Sequence, residues 1–598
     1  MADRRKEHKK ERHGIFNREP DEPRERCSVG AARRFIGPQA RLYIPISPYS
    51  AVKNYFLGED LGLAWRLAVS VNYPSIYKPM NQEQKENGQP NTPRWSGSRW
   101  AFFWLRACSS NISTLRAVCL RLYCLLILML ISVTTGFGQT IPPTNPPAAE
   151  KQFRAGAVAS NITPWLGVSI NGNFQDAKAA HIHDELHARC LVLDDGESRI
   201  AFVVCDSCLI PREIFDVAKR QIHEQTGLPV DHILISCTHT HSAPASVGIF
   251  ESEPVKEYIP FLTTRIVDGV RRAIHNLAPA RIAWGVGSAP DQVFNRRWKM
   301  KPGPFLANPF GGMDQVKMNP PGASPDLIEP AGPTDPGITF ISVQSTDGRP
   351  IALLANYSLH YVGGVPTGDI SSDYYGAFAD RIQQLIGADH QDPEFVGIMC
   401  NGTSGNVNNI NFRHPRGFMP SYKQIRVVAD AVAAEVNRVY KTLQYHDWVP
   451  LRMEQKEINI GVRRPTETEI NRAREILAGY KNTKPKGVNE IYAQETLYMK
   501  DYPAEVPLII QAIRIGDLCV AAIPCEVFAE TGIDIKAHSA FKPTFTISLA
   551  NGWNGYLPTP EQHRLGGYET WRARSSYLEA NASAKIFDTV MELLVRLK

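Results

Sequence analysis

The sequence predicts an α/β fold in which mixed β-sheets are flanked by helices. Three observations lead there. Short apolar runs of strand length, such as Cys190–Leu193, Ile200–Cys205 and Ile233–Ile235, alternate with longer amphipathic runs of helical period. Turn signals at Asp194-Asp-Gly196 and Ser345-Thr-Asp-Gly-Arg349 sit between apolar runs and read as hairpins. From residue 150 onward there is neither an internal repeat nor a linker, so 153–598 reads as one large domain.

The elements follow in order. Phe153 to Pro164 holds a short strand that ends at its proline. A Gly/Asn-rich loop, 167–174, precedes His181, His183 and His187. Pro211 to Thr226 is an amphipathic helix stopped by Gly227. After the strand at Ile233–Ile235, a second helix covers Val255–Asn276 and a strand covers Ala280–Val286. Residues 299–335 are rich in Pro, Gly and Asn and predict a long loop over a site. Ile338–Gln344 and Pro350–Tyr357 pair as a hairpin, and the second strand runs into Leu359-His360-Tyr361. A helix over Tyr374–Ile386 and a strand over Phe395–Met399 come next, the strand entering Asn401-Gly-Thr-Ser-Gly-Asn-Val-Asn-Asn409. Helices are expected at 421–442 and Arg464–Lys481, and strands at Val506–Ile515, Leu518–Ile523 and Thr544–Leu549. A helix over about Ala580–Leu597 is the last.

Composition bounds the function. Hydrophobic residues at 43% and charged residues at 21% are ordinary for a soluble globular protein. The formal net charge of +6 is unevenly spread: residues 1–138 hold 21 Lys+Arg against 11 Asp+Glu, the remainder 45 against 49. The basic excess belongs to the leader, and no basic stripe in the body suggests nucleic-acid binding. Within that leader, Arg116 and Arg121 precede an uncharged run, Leu122–Val133, then small residues up to Gly138 and a Pro-rich stretch, 139–152. That pattern is a signal peptide or signal anchor over 116–138, behind a basic segment, 1–115, without sustained periodicity. The expected location is secreted or periplasmic, with a membrane anchor through 116–138 as the alternative. The seven cysteines beyond residue 138 lie mostly in apolar runs and read as small buried hydrophobes, with one disulfide left open.

The chemistry concentrates where apolar strands run directly into polar residues. Ile233–Ile235 leads to Thr238-His-Thr-His-Ser242, and residues two apart on an extended backbone face the same way, so His239 and His241 are expected on one face. The strand before Ser358 ends in His360, Leu518–Ile523 leads to Pro524-Cys-Glu526, and the strand at 544–549 leads to Asn551-Gly-Trp-Asn-Gly-Tyr556. Ligands of α/β sheets bind at strand ends. Two imidazoles and a carboxylate make a zinc site with room for water or substrate. Singly, each residue has an ordinary alternative: His360 as a satisfied histidine, Glu526 as a cap for the helix that follows.

These segments, in this order, resemble the catalytic domain of the neutral/alkaline non-lysosomal ceramidase family. The likeness is carried by Asn161-Ile-Thr-Pro164, His183 with Ala188-Arg189, Thr238-His-Thr-His-Ser242, Phe294-Asn-Arg296, Tyr357-Ser-Leu-His360, Ser372-Asp373, Gly405-Asn-Val407, Pro524-Cys-Glu526, Gly555-Tyr556 and Tyr568-Glu569. The resemblance implies a zinc ion held by His239, His360, Glu526 and Tyr556, and catalytic roles for His241, Arg296 and Tyr568. Arg296 and Tyr568 would donate to a developing oxyanion, and His241 would shuttle a proton to the leaving amine. The family carries a serine beside the zinc where this chain has Asn408. An amide is no nucleophile but can donate a hydrogen bond, so attack by zinc-activated water with Asn408 helping to hold the oxyanion is the implied route. The implied substrate is a small-molecule or lipid amide, ceramide or a related N-acyl lipid, with peripheral contact to a membrane. Two alternatives stay open: a zinc hydrolase of another amide or an ester, and a secreted binding protein that keeps the fold without turnover.

Overall fold

Side-chain alternation along the strands sets the layers. Ala188, Cys190 and Val192 face one apolar cluster, while the intervening Leu191 and Leu193 face another. Ala201, Val203 and Cys205 repeat the division against Ile200, Phe202 and Val204. A period of two with apolar residues on both sides means that the sheet is covered on both faces. The computed structural model describes residues 151–480 and 487–598. The expected leader, the 116–138 segment and the Pro-rich stretch up to residue 150 lie outside the described residues.

The larger sheet holds β1 (Arg154–Asn161), β2 (His187–Asp194), β3 (Arg199–Cys205), β4 (Ile233–Cys237), β5 (Ala278–Ser288), β6 (Gly337–Ser345), β7 (Pro350–Tyr357) and β8 (Val396–Asn401). Their spatial order is β8-β7-β6-β5-β1-β2-β3-β4. The pairs β3/β4 and β7/β8 are parallel and the other neighbours antiparallel, so the sheet is mixed as expected. Both hairpins form, with Leu193 opposite Ile200 and Ile338 opposite Tyr357. β1 meets β5 through two residue pairs alone, Arg154↔Pro279 and Ala155↔Ala278. With so short a seam the two halves turn toward each other, and the edge strands β4 and β8 come into contact.

A second sheet, β9 (Leu451–Gly461), β10 (Glu505–Ile515), β11 (Leu518–Ile523) and β12 (Thr544–Ser548), runs in that order with β11/β12 parallel. β12 packs against β4, β7 and β8. The central core lies between the sheets, where Phe202, Leu354 and Ile398 meet Ile513, Val520 and Phe545. Burying each such side chain contributes roughly 1.5–3 kcal/mol.

Helices cover the outer faces. α1 (Arg212–Thr226) buries Ile214, Phe215, Ala218 and Ile222 along one stripe, and Gly227 ends it at φ 73°. α1 and α2 (Tyr258–His275) share a cluster with β2 and β3. α3 (Asp373–Leu385) and α4 (Lys423–Tyr440) cover the other half of the sheet. α5 (Glu467–Leu477), opened by a Thr466–Glu469 capping box, pairs with α6 (Val488–Met499). α7 (Ala529–His538) and α8 (Ala582–Arg596) pack on the second sheet.

Three departures from the sequence expectations matter. The expected loop at 299–335 contains strands Val316–Met318 and Leu327–Pro330, which flank Arg297–Met300 in a small antiparallel sheet. Strands of three or four residues among Pro and Gly leave no measurable periodicity. β9 and α6 were also outside the expected elements. β9 is partly exposed along most of its length, and its charged side chains hide the strand pattern. No helix among the described residues is long and apolar enough to cross a membrane. All seven cysteines of this region are free and buried.

Candidate metal centre

The bend of the large sheet brings the loops after β4, β7, β8, β11 and β12 together. β4 ends at Cys237, and His239 then adopts φ 76°, so the extended geometry expected to align His239 with His241 stops before it. The two rings meet through this left-handed turn instead: their Nε2 atoms are 3.2 Å apart and the ring planes are nearly perpendicular, at 86°. Gly172 is what admits His241 here, because a Cβ at that position would lie 2.5 Å from the imidazole. His360, three residues past β7, lies with its ring centroid 4.5 Å from that of His239. Glu526, three residues past β11, brings Oε2 to 3.3 Å from His239 Nε2.

Hydrogen bonds fix which ring atoms are free. A carbonyl oxygen only accepts, so His239 Nδ1 donates to Cys208 O at 2.9 Å and His360 Nδ1 donates to Ser404 O at 3.1 Å. With Nδ1 spent on a carbonyl, each ring turns its Nε2 inward. Trp553 Nε1 donates to Glu526 Oε1 at 3.2 Å and leaves Oε2 free. His360 Nε2 and Glu526 Oε2 are buried without a hydrogen-bond partner, although buried polar atoms are almost always paired. The ligating atoms of His239, His360 and Glu526 lie within 4.8 Å of one another. Burial first, then neighbouring charge from Arg296 and His239, pushes His360 well below the ordinary imidazole range. Burial, His239 and Arg296 do the same to His241. Two imidazoles, a carboxylate, and outer partners on both histidines fit the donor set and support of a zinc site. Cys208, His239 and His241 form a second grouping. Burial raises the Cys208 thiol well above its usual range, which opposes the thiolate that metal binding needs.

The other expected residues surround this cluster. Tyr556 sits opposite Glu526 in a short parallel strand pair. Its hydroxyl accepts from Arg296 at 3.2 Å. Arg296 also donates to Glu569 at 2.9 Å and to Gly405 O at 2.9 Å. Burial opposes its charge, but Tyr556 and Glu569 more than offset this and hold it above the ordinary range. Glu569 in turn receives Arg297 at 2.6 Å, so one fully buried carboxylate joins two buried guanidiniums. Tyr568 stands with its ring 5.9 Å from that of Tyr556, and burial keeps its phenol protonated. Asn408, expected to help hold the oxyanion, makes contacts of its own. It pairs with Phe294, donates to Asn319 at 2.8 Å and accepts from Ile410 N at 2.9 Å. Its carbonyl and one of its two N–H groups are thus engaged, which leaves the second N–H uncommitted. Asn319 N bonds Arg296 O, so Asn408 braces the backbone that carries Arg296.

Residues 153–415 match the family model described as neutral/alkaline non-lysosomal ceramidase, N-terminal. That segment is therefore similar to the N-terminal part of the neutral/alkaline non-lysosomal ceramidases. Among curated proteins the chain is similar to neutral ceramidase A of Dictyostelium discoideum, at 24% identity over 208 residues, which are 33% of this chain and 26% of the relative. The chain thus spans about a quarter of the length of that relative. Among solved structures it is similar to the neutral ceramidase from Pseudomonas aeruginosa, with a TM-score of 0.58 and 18% identity over 75% of each chain. A ceramidase complexed with C2 gives a TM-score of 0.56 and 17% identity, again over 75% of each chain. At these identities the likeness to solved structures concerns the fold.

The ceramidase-family match covers His239, His241, Arg296, His360 and Asn408, and stops before Glu526, Tyr556 and Tyr568. Packing of β12 beside β4 and β7, with β11 paired to β12, joins the two groups. Sequence reasoning assigned no role to Trp553, to Tyr361, stacked on His241 at 3.7 Å, or to the carbonyls of Cys208 and Ser404. Backbone carbonyls carry no residue signal. Trp553 stands in the Asn551–Tyr556 segment, where an indole among small polar residues was the available hint.

Proposed function

We propose that this chain is an exported, zinc-dependent hydrolase that cleaves the N-acyl amide bond of ceramide or a related N-acyl lipid. One observation supports the zinc: His360 Nε2 and Glu526 Oε2, both buried without a hydrogen-bond partner, converge with His239 Nε2 within 4.8 Å of one another. His239, His360 and Glu526 would hold the ion, with Tyr556 as the fourth group. Bound zinc supplies a Lewis acid that polarises the scissile carbonyl and makes water acidic enough to attack at neutral pH.

The protein's own residues do the rest. His241, neutral and beside the cluster, takes a proton from the attacking water and returns it to the leaving amine. Arg296 presents a fixed positive charge, held from behind by Glu569 and Gly405 O. Tyr568 keeps its phenolic proton and donates it in a hydrogen bond to the developing oxyanion. Export rests on the charge-then-apolar pattern at 116–138, and peripheral membrane contact on the lipid character of the substrate.

A second reading, a zinc hydrolase of a different amide or an ester, is favoured by Asn408, an amide and no nucleophile, which stands in the family's serine position and bonds Asn319 and Ile410 N. Metal analysis of the purified chain, coupled to hydrolysis of a fluorescent N-acylsphingosine, decides between them. Zinc near one per chain with turnover is the expected result. Zinc without turnover of this substrate selects the second reading, and absence of bound zinc overturns both.

A further inference from the structure

Lys219 is a buried charge that the hydrolytic chemistry leaves unused. It projects from α1 into the interior, and among the described residues no carboxylate forms an ion pair with it. Asp216, one turn earlier, is engaged by Arg212 at 3.0 Å. The ammonium donates instead to Asn551 Oδ1 at 2.7 Å. Asn551 Nδ2 then donates to Gln511 Oε1 at 3.0 Å, and Gln511 Nε2 donates to Asp231 O at 2.7 Å. All three side chains are buried. An ammonium only donates and a backbone carbonyl only accepts, so the two ends of this chain of bonds fix how both amides point. Burying a charge is costly unless it is well bonded, and this network is what holds Lys219 inside.

Asn551 is where the network meets the metal centre. Its backbone is left-handed, at φ 64°, and its N–H donates at 2.7 Å to Ile235 O of β4, four residues before His239. The segment that follows carries Trp553, which donates to Glu526, and Tyr556, which pairs with Glu526 in a short parallel ladder. The same segment folds over Pro524–Glu526: Asn554 N donates to Pro524 O at 2.8 Å and Glu526 N to Gly555 O at 2.9 Å. Asn551 thus ties the strand that leads to His239 to the loop that orients Glu526.

Resting on the zinc reading above, we propose that Lys219 is a positioning residue for the metal centre, which it reaches through Asn551. The ammonium locks the Asn551 side chain. Asn551 fixes the 551–556 segment against β4, and that register sets the spacing of His239, Glu526 and Tyr556. Lys219 itself touches none of the three. A hydrogen bond from an ionised donor is stronger than one between neutral groups, so the ammonium anchors this left-handed turn more firmly than an amide or a hydroxyl would.

The test uses Lys219→Met and Asn551→Gly. Methionine keeps an unbranched chain without the donor, and glycine accepts φ 64° without the side chain. Competition with a zinc-binding dye reads affinity, and the visible spectrum of the cobalt-substituted chain reads the geometry of the ligands. Each variant should bind zinc about tenfold more weakly, the lower end for loss of an outer partner, and should shift the cobalt bands. The double variant should lose no more than Asn551→Gly alone, because both changes act along one path. Val436→Ala, a buried truncation on α4 away from the site, lowers stability and should leave affinity and spectrum as in the parent. Parent-like affinity and spectrum in both variants overturn the positioning role and leave the zinc reading intact. Additive losses, or a loss that Val436→Ala shares, overturn it as well. Should Lys219→Met not fold, Asn551→Gly decides by itself. A parent chain that binds neither zinc nor cobalt overturns the zinc reading, and the positioning role with it.

Discussion

His239 Nε2 and Glu526 Oε2 face each other at 3.3 Å, and the hydrogen that a bond between them would need has been placed elsewhere. His239 spends its ring N–H on Cys208 O. Two lone pairs held together in a buried site repel unless a cation lies between them. The protein keeps them there because each belongs to a loop fixed by a different sheet, β4 in one case and β11 in the other.

Metal should therefore stabilise the fold as well as support turnover. Zinc at about a hundred times its Kd is expected to add about 2.7 kcal/mol to unfolding stability. Urea denaturation of the chelator-treated chain, with and without added zinc, checks this. A midpoint that does not move contradicts a zinc site built from His239, His360 and Glu526.

Trp553 is expected to position Glu526. Trp553→Phe keeps an aromatic ring and removes the Nε1–H that holds Glu526 Oε1. Zinc affinity should fall roughly 10- to 100-fold, the usual effect of losing such an outer partner. Competition against a zinc-binding dye measures it, and unchanged affinity would assign the indole to packing alone.

Glu569→Gln should be costly. The carboxylate is fully buried between Arg296 and Arg297, and Arg297 is itself fully buried. Removing one partner of a buried ion pair typically costs 3–5 kcal/mol, about the expected loss here. Chemical denaturation gives the stability. Turnover should fall with it, since Arg296 loses the group that aims it; a variant as stable and active as the parent would contradict both roles.

Lys219 links stability to pH at a site remote from the cluster. Its ammonium is buried on α1 and donates to Asn551 Oδ1 at 2.7 Å. Burial lowers its pKa from 10.5 to about 8, against a partial opposing effect of Asp216. Between those values the unfolded chain holds a proton that the folded chain has released. Stability should then rise with pH across that window. Lys219→Met is expected to flatten the rise, as read from urea midpoints at the two ends of the window. An identical slope in the variant would mean that other groups produce it.

Much of the fold was legible because burial imposes a period. The strand from Ile200 to Cys205 and the helix ended by Gly227 lie where alternation and stop signals put them. The small sheet at 297–330 was not legible, since its strands are too short to show a period. The same holds in the site. His239, His241, His360 and Glu526 each follow an apolar strand and announce themselves by residue type. The left-handed turn at His239, the engagement of Asn408 by Asn319, and the Glu569 clasp on two arginines depend on partners distant in the chain.

The sequence by itself determined the α/β class, the strand ends that carry chemistry, and the residue types of a nitrogen- and oxygen-rich metal site. Only the tertiary structure decided that those ends meet. Alternation specifies which face of each strand is buried, but a sheet of eight strands can stay open or bend. Here a seam of two residue pairs between β1 and β5 lets it bend, β12 packs against β4, β7 and β8, and the ligands converge. The tautomers of His239 and His360 were likewise set by backbone carbonyls, which every residue possesses and which no sequence pattern can single out.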